Sequence, residues 1–293
     1  MSSMFTRASG RRSPETTPRK TIPPPTITPR KADTPHKERS HRTKEFNPEV
    51  EFTPSSQLLR RAKWTAETTT QMQSSFRFGT RIIAATGARA DGEHPNVLRL
   101  RVHHSTVQAI AQALHRHLPS SLRSWASSLF PEWFLPTNII LKKQKPGWEE
   151  EFDTEQATYQ RLKCLQGLVI PTYYGQATHN KTRALVLSDI GGACVAEPAG
   201  AVLREQDVRP LFDQALGALA SQGISHDDLK LDNFHLVDRG GDRAIMVVDL
   251  ERVNELPPEP DRCARLVRND VRFLMRAYRD HVECLREDGL LLH

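Results

Sequence analysis

An aspartate, a lysine and an asparagine stand close together in the stretch His226-Asp227-Asp228-Leu229-Lys230-Leu231-Asp232-Asn233. Spacings of two and three residues put Asp228, Lys230 and Asn233 on one short loop. A second acid, Asp249, follows the apolar run Ala244-Ile245-Met246-Val247-Val248. A carboxylate can orient a hydroxyl, an ammonium can neutralise phosphate charge, and an amide with a carboxylate can hold magnesium. These are the groups that phosphoryl transfer uses.

The elements around the loop have to bring these groups together. Residues 204–222 carry Val208, Leu211, Phe212, Ala215, Leu216 and Leu219 at helical spacing, with Gly223 placed to end the helix. That helix delivers the chain into the loop. Beyond it, Asn233-Phe234-His235-Leu236-Val237 and 244–248 flank the turn Asp238-Arg239-Gly240-Gly241-Asp242, which predicts a hairpin. The hairpin holds Asn233 and Asp249 at neighbouring strand ends. Magnesium takes few protein ligands, so two such residues suffice. Residues 269–275 open a further helix with a stripe at Val271, Leu274 and Tyr278.

Upstream, Asn138-Ile139-Ile140-Leu141-Lys142 reads as a short strand, in which Ile140 and Lys142 share a face and Lys143 points to the other. Residues 148–165 read as a helix closed by Gly167, with Phe152, Glu155, Tyr159 and Leu162 on one face. Glu155 is therefore an acid in an apolar stripe, costly to bury without a cation, and Lys142 is the obvious partner. Glu149, Glu150 and Glu151 read as a solvated first turn, favoured by the helix dipole. Strands follow at 168–178 and 182–189, turning at His179-Asn180-Lys181.

The loop His226-x-Asp228-Leu229-Lys230-x-x-Asn233 resembles the catalytic loop of the eukaryotic protein-kinase family, here of serine/threonine type. The resemblance implies that Asp228 accepts or orients the proton of the attacking hydroxyl and that Lys230 offsets charge on the transferred group. It implies metal-ligand roles for Asn233 and Asp249. Lys142 with Glu155 is similar to the family's strand-lysine and helix-glutamate pair, the lysine holding nucleotide phosphates. Leu185-Val186-Leu187-Ser188-Asp189-Ile190-Gly191-Gly192 resembles the hinge between kinase lobes, with Leu187 behind the adenine and the backbones of Ser188 and Ile190 at its edge. Asp270 matches a helix-start aspartate that braces the catalytic loop, and His226 takes a structural, bracing role.

The chain also departs from that family. It has no Gly-x-Gly-x-x-Gly loop; Phe78-Gly79-Thr80 and Gly87-Ala88-Arg89-Ala90-Asp91-Gly92 are weak stand-ins, which leaves the phosphate cover unassigned. The Asp-Phe-Gly triplet appears as Asp249-Leu250-Glu251, an ending similar to aminoglycoside, choline and lipopolysaccharide kinases. The segment from Asp249 to Asp270 is short, and Pro257-Pro258-Glu259 reads as a loop rather than the family's Ala-Pro-Glu.

Composition bounds the rest. Apolar content of 38% and charged content of 26% are ordinary for a soluble chain of 293 residues. No apolar run is long enough for a membrane span or a secretory signal. Four scattered cysteines, without metal-like spacing, read as reduced and mostly buried thiols. Residues 1–58 hold eleven Lys/Arg against six Asp/Glu, so most of the net charge of +6 sits there and the remainder is nearly neutral. With nine of the twenty prolines before residue 58, that stretch cannot bury enough apolar surface to order itself. Ser-Pro and Thr-Pro dipeptides and basic pairs in it are compatible with a regulatory or nuclear-import tail, or with a plain solvated extension. Strands are expected at 75–83 and 97–102, separated by breaks at Gly87, Gly92 and Pro95, then helices at 106–118 and 120–130.

The expected fold class is α+β: a two-lobed protein kinase-like fold with a small β-rich N-lobe and a truncated helical C-lobe. The expected organisation is a disordered basic tail (1–57), an N-terminal extension and irregular start of the N-lobe (58–136), the N-lobe core (137–190) and a compact C-lobe (191–293). The expected activity is transfer of the γ-phosphate of ATP, with Mg²⁺, to a hydroxyl acceptor, in first place protein serine or threonine. A small-molecule kinase and a nucleotide-binding pseudokinase scaffold are the alternatives. The expected partners are ATP and a hydroxyl-bearing protein or small molecule, with no membrane and no specific nucleic acid, in an intracellular setting, cytoplasmic or nuclear.

Overall fold

The computed structural model describes residues 71–90 and 94–291. The expectations for the tail at 1–57 lie outside those residues. Alternating burial builds the first half of the structure. In β1 (Met72–Phe78), β2 (Arg81–Arg89) and β3 (Val97–Val102), the inward positions are Phe76, Phe78, Ile83, Ala85, Leu98, Leu100 and Val102. β4 (Asn138–Lys143) adds Ile139 and Leu141, β5 (Tyr173–His179) adds Ala177, and β6 (Thr182–Ser188) adds Ala184 and Val186. The strands run antiparallel in the order β1-β2-β3-β4-β6-β5, and β1 closes on β5 through Arg77–Thr178 and Phe78–Ala177. Closure leaves this sheet no free edge.

Two helices, α1 (Thr106–Arg116) and α2 (Ser120–Leu129), lie between β3 and β4. α3 (Glu149–Arg161) follows β4 and ends in a 3-10 turn. After β6 come the short β7 (Ala193–Cys194), α4 (Glu205–Ser221), β8 (Ile224–His226), the hairpin β9 (Phe234–Arg239) and β10 (Asp242–Val247), β11 (Val253–Glu255) and α5 (Pro260–Glu287). β10, β9 and β7 form one small sheet, and β11 with β8 another. Their apolar faces join α3, α4 and α5 in a second core around Tyr159, Phe212, Phe234, Leu274 and Tyr278.

Strands β4 and β6 serve both cores. Ile139, Leu141, Ala184 and Val186 face into the barrel, while Ile140, Leu185 and Leu187 face the second core. The period of two therefore turns Lys142, in register with Ile140, out of the barrel and toward the helices.

Local differences from the sequence expectation have physical causes. The single strand expected at 75–83 is two strands, because Gly79 takes a left-handed φ of 55° and turns the chain. Gly87 does not break the chain. It lies inside β2, where a side chain would strike the Arg99 carbonyl, since a Cβ there would come within 2.0 Å of it. The helix expected to open at Asn269 begins at Pro260, so Asp270 sits inside α5 rather than at its start. Its first turns are mostly polar, with only Cys263, Leu266 and Val267 half-buried on one face, although proline at the first helical position is a favourable start. The cysteines are free, but only Cys194 is buried and Cys164 is exposed. No helix among the described residues is long and apolar enough to cross a membrane.

Candidate active site

β4 and α3 position the first pair. Glu155 lies on the buried face of α3 with Phe152, Thr158 and Tyr159, and its side chain is almost wholly enclosed. Lys142 reaches it from β4, with Nζ 2.7 Å from Glu155 Oε2. The same ammonium lies 2.7 Å from Asp249 Oδ1 and 2.9 Å from Glu251 Oε1. Glu155 Oε1 also accepts the Leu250 amide at 3.3 Å, fixing α3 to the segment that carries both acids.

The electrostatics follow from this crowding. Burial alone would pull the Lys142 pKa down, but Glu155, Asp249 and Glu251 more than reverse it, so the ammonium is held charged. Burial pushes the Glu155 carboxyl up, partly offset by Lys142. For Asp249, burial also favours the neutral form, yet Lys142 overcomes it and holds the carboxyl below its ordinary value. Glu155, Asp249 and Glu251 place carboxylate oxygens within 4.8 Å of one another, a grouping that would attract a metal. The Lys142 ammonium already stands among them, so it is the cation that balances this triad.

Asp249 follows β10 with a left-handed φ of 60°. Aspartate tolerates that region better than most residues, and such backbone strain recurs where a side chain must be aimed. Here it turns the carboxylate toward Lys142. His226 holds the turn from below. The Asp228 amide donates to His226 Nδ1 at 3.2 Å, so the neutral ring carries its proton on Nε2. Nε2 then donates to the carbonyls of Asp249 (3.0 Å) and Val248 (3.2 Å). Burial lowers the His226 pKa and favours this neutral form. The bracing role expected of His226 thus has a definite geometry: one ring ties the loop at Asp228 to the turn at Asp249.

Asn233 is buried, and its Nδ2 donates to the Asp228 carbonyl at 2.8 Å. That bond engages the amide nitrogen, and Asn233 lines a cleft together with Lys142 and Asp249. Lys230 Nζ donates to Asp228 Oδ2 at 2.9 Å, and this bond raises the Lys230 pKa. Asp270 lies within reach of the charge on Asp227, one of the loop's three aspartates. Its carboxyl is pushed up by burial and then by that neighbouring charge.

One cleft of about 320 Å³ gathers most of the residues predicted from the sequence. Lys142, Glu155, Leu187, Ser188, Ile190, Asn233 and Asp249 all line it, and Asp228 and Lys230 stand outside its lining. The Ser188 amide donates to the Thr172 carbonyl and is therefore already engaged. Gly192 closes this segment at a φ of 72°, where a Cβ would come within 2.3 Å of the Leu236 carbonyl. Asp189 is tied back to the barrel by Arg99, at 3.2 Å.

Several contributors were not singled out from sequence. Glu251 pairs with both Lys142 and Lys145, the latter at 3.0 Å from each carboxylate oxygen. A signal was present: Asp249 and Glu251 are two acids only two residues apart, although it is the turn at Asp249, not an extended chain, that brings both to Lys142. Ala90, His94 and Asn96, from the β2–β3 connection, also line the cleft. The weak stretch from Gly87 to Gly92 runs into this connection, the part of it at 91–93 lying outside the described residues.

No protein-family model matches the chain, and no curated protein matches it. Among solved structures it is similar to the kinase domain of Mycobacterium tuberculosis PknI. A single mutant of that domain shares 16% identity at a TM-score of 0.38, over 62% of this chain and 65% of that one. A double mutant shares 17% identity at a TM-score of 0.38, over 57% and 60%. The chain therefore spans less than two thirds of those kinase domains. At such a TM-score the likeness is loose, and what the site can do follows from its own geometry.

Proposed function

We propose that this chain is an ATP- and Mg²⁺-dependent kinase that transfers the γ-phosphate to a hydroxyl acceptor, in first place a protein serine or threonine. One observation carries the proposal: Lys142, Glu155, Asn233 and Asp249 meet in a single cleft whose other wall is the backbone from Leu187 to Ile190. The residues fit the groups they would hold. A buried ammonium suits nucleotide phosphates, and the Asn233 amide oxygen with the Asp249 carboxylate suits the oxygen preference of Mg²⁺. The Tyr159 hydroxyl, fully buried on the cleft wall, has no hydrogen-bond partner among the described residues, which fits a cleft that takes a polar ligand.

Bound Mg-ATP would supply the transferable phosphoryl group and the charge that polarises it. The chain's own residues do the positioning. Lys142 presents its charge to the phosphates while Glu155 keeps it in place. Asn233 and Asp249, at neighbouring ends of the β9–β10 hairpin, would hold the metal. Asp228, tied through its carbonyl to the cleft residue Asn233, orients an incoming hydroxyl and takes its proton. Lys230, already bonded to Asp228, balances the charge that builds on the transferred group.

A second reading is favoured by one observation: Lys142 is engaged by three carboxylates, so nucleotide must compete for it. That arrangement would suit a nucleotide-binding scaffold. Thermal unfolding with and without Mg-ATP, run beside a phosphate-transfer screen of proteins and small hydroxylated metabolites, separates the two. Stabilisation with transfer to an acceptor supports the kinase, and stabilisation without transfer supports the scaffold. If Mg-ATP leaves the melting temperature unchanged, neither reading stands.

A further inference from the structure

Helices α1 and α2 bury the wrong faces for a core. The apolar stripe of α1 runs through Val107, Ile110 and Leu114 at spacings of three and four, as does that of α2 through Leu122, Trp125 and Leu129. Such stripes ordinarily face inward. Here all six are exposed, Leu114 by 65% and Trp125 by 60%, with Leu118 and Phe130 exposed beside them. The side turned inward is polar. Gln108 is the buried residue of α1 and accepts from Arg81 Nη1 at 3.1 Å, while Gln112 Nε2 donates to the carbonyls of Trp133 and Leu135. His115 ties the pair together: its Nε2 lies 2.9 Å from Ser127 Oγ and 3.0 Å from the Arg123 carbonyl, and its ring stacks on Phe134. Polar anchoring therefore fixes the two helices with their apolar stripes outward, an arrangement that folding alone does not reward.

The charge of the stretch identifies what covers those stripes. Between His94 and Pro131 the chain contains no aspartate or glutamate, while Arg101, Arg116, His117 and Arg123 are exposed. The first acid beyond α2, Glu132, is turned inward, where Oε1 accepts the Thr80 hydroxyl at 2.9 Å. Leucine, isoleucine, tryptophan and phenylalanine on one side of short helices, in a stretch with exposed arginines and no acids, match an anionic lipid surface. A second copy of this chain would bury the same stripes but would bring like positive charge to the contact, which opposes that gain.

We infer that α1 and α2 dock this protein on the surface of an anionic membrane, their apolar stripes entering the headgroup boundary and their arginines meeting lipid phosphates. The test uses the full chain, because residues 1–58 are also basic and could bind lipid by charge alone. Co-sedimentation with phosphatidylserine–phosphatidylcholine vesicles is compared with phosphatidylcholine vesicles, for the natural chain and for Leu114→Glu/Trp125→Glu. Both positions are exposed, so the double variant should keep the natural melting temperature. Partition onto the anionic vesicles should fall by about tenfold or more in the double variant, and Arg116→Glu/Arg123→Glu should erase the preference for anionic over neutral lipid. Vesicle binding that the double variant leaves intact would assign it to the basic tail and overturn the proposal. So would absence of binding to either vesicle. A concentration-dependent dimer in sedimentation velocity, dissociated by Leu114→Glu/Trp125→Glu in a chain that ignores vesicles, would make the face a self-interface instead.

Discussion

Glu251 holds the Lys142 ammonium at 2.9 Å, two residues beyond Asp249, which pairs with the same ammonium at 2.7 Å. That contact adds a third carboxylate to the pairs Lys142 makes with Glu155 and Asp249. Glu251 also accepts Lys145, so it bridges the two lysines nearest the cleft. Phosphate oxygens arriving at Lys142 would meet a lysine already engaged. Replacing Glu251 with glutamine keeps its shape and removes its charge. Affinity for a non-hydrolysable ATP analogue should then rise by about three- to tenfold, the scale of one partly screened ion pair. Titration calorimetry would show this; an affinity that falls instead would mean that Glu251 helps to hold the metal.

Lys142→Met should be costly for the fold as well as the site. It leaves Glu155, almost completely buried, without its cation. Breaking such a pair from one side costs about 3–5 kcal/mol, because the remaining charge is uncompensated. Adding Glu155→Gln to the same chain should return part of that loss. Urea unfolding of the single and double variants measures both effects. A single variant as stable as the natural chain would show that the triad is more hydrated than its burial implies.

Asp228→Ala separates chemistry from binding. Asp228 does not line the cleft, so nucleotide should still raise the melting temperature of the variant. Turnover should drop by about 10²–10⁴, the usual effect of losing a positioned general base. Retained turnover would remove Asp228 from that role.

His226 makes loop stability depend on pH. Its folded pKa is lowered by burial from the ordinary 6.5, so the unfolded chain takes up its proton first as the solution is acidified. The stabilisation is complete above 6.5 and is lost as pH falls through the lower folded value. The structural reason is specific: a proton on Nδ1 would face the Asp228 amide, which is itself a donor. Urea midpoints for the natural chain should therefore fall on acidification below about 6.5, over and above the trend in a His226→Leu variant. Parallel curves for the two proteins would rule out this contribution.

Tyr278 fixes α5 to the chain just before α4. Its hydroxyl donates to the Leu203 carbonyl at 2.7 Å and accepts the Leu203 amide at 3.2 Å, all within the second core. Tyr278→Phe strands both backbone groups, so the cost should be about 1–3 kcal/mol. A change in thermal or urea stability well under that range would mean that solvent reaches Leu203.

Much of the site was legible in the chain because its signals are local. The spacing of Asp228, Lys230 and Asn233 puts them on one loop whatever surrounds it. The period of two in β4 picks Lys142 over Lys143, and the period of 3.6 in α3 puts Glu155 among apolar neighbours that demand a cation. What lay beyond sequence was long-range. Glu251 gains meaning only when the turn at Asp249 folds back onto β4, and the early start of α5 was hidden because its first turns carry only a short, half-buried stripe, Cys263, Leu266 and Val267, among exposed charged residues. The apolar periodicity of α1 and α2 predicted two helices correctly but not their orientation. Periodicity shows that a face is apolar; whether that face meets the core depends on which neighbours offer hydrogen bonds, and here Arg81, Trp133 and Leu135 bind the glutamines instead. Local spacing thus determined which groups are available for chemistry, because backbone geometry sets it within a few residues. Only the tertiary structure decided which charges share one cleft and which apolar surface stays outside, because both depend on contacts between segments far apart in the chain.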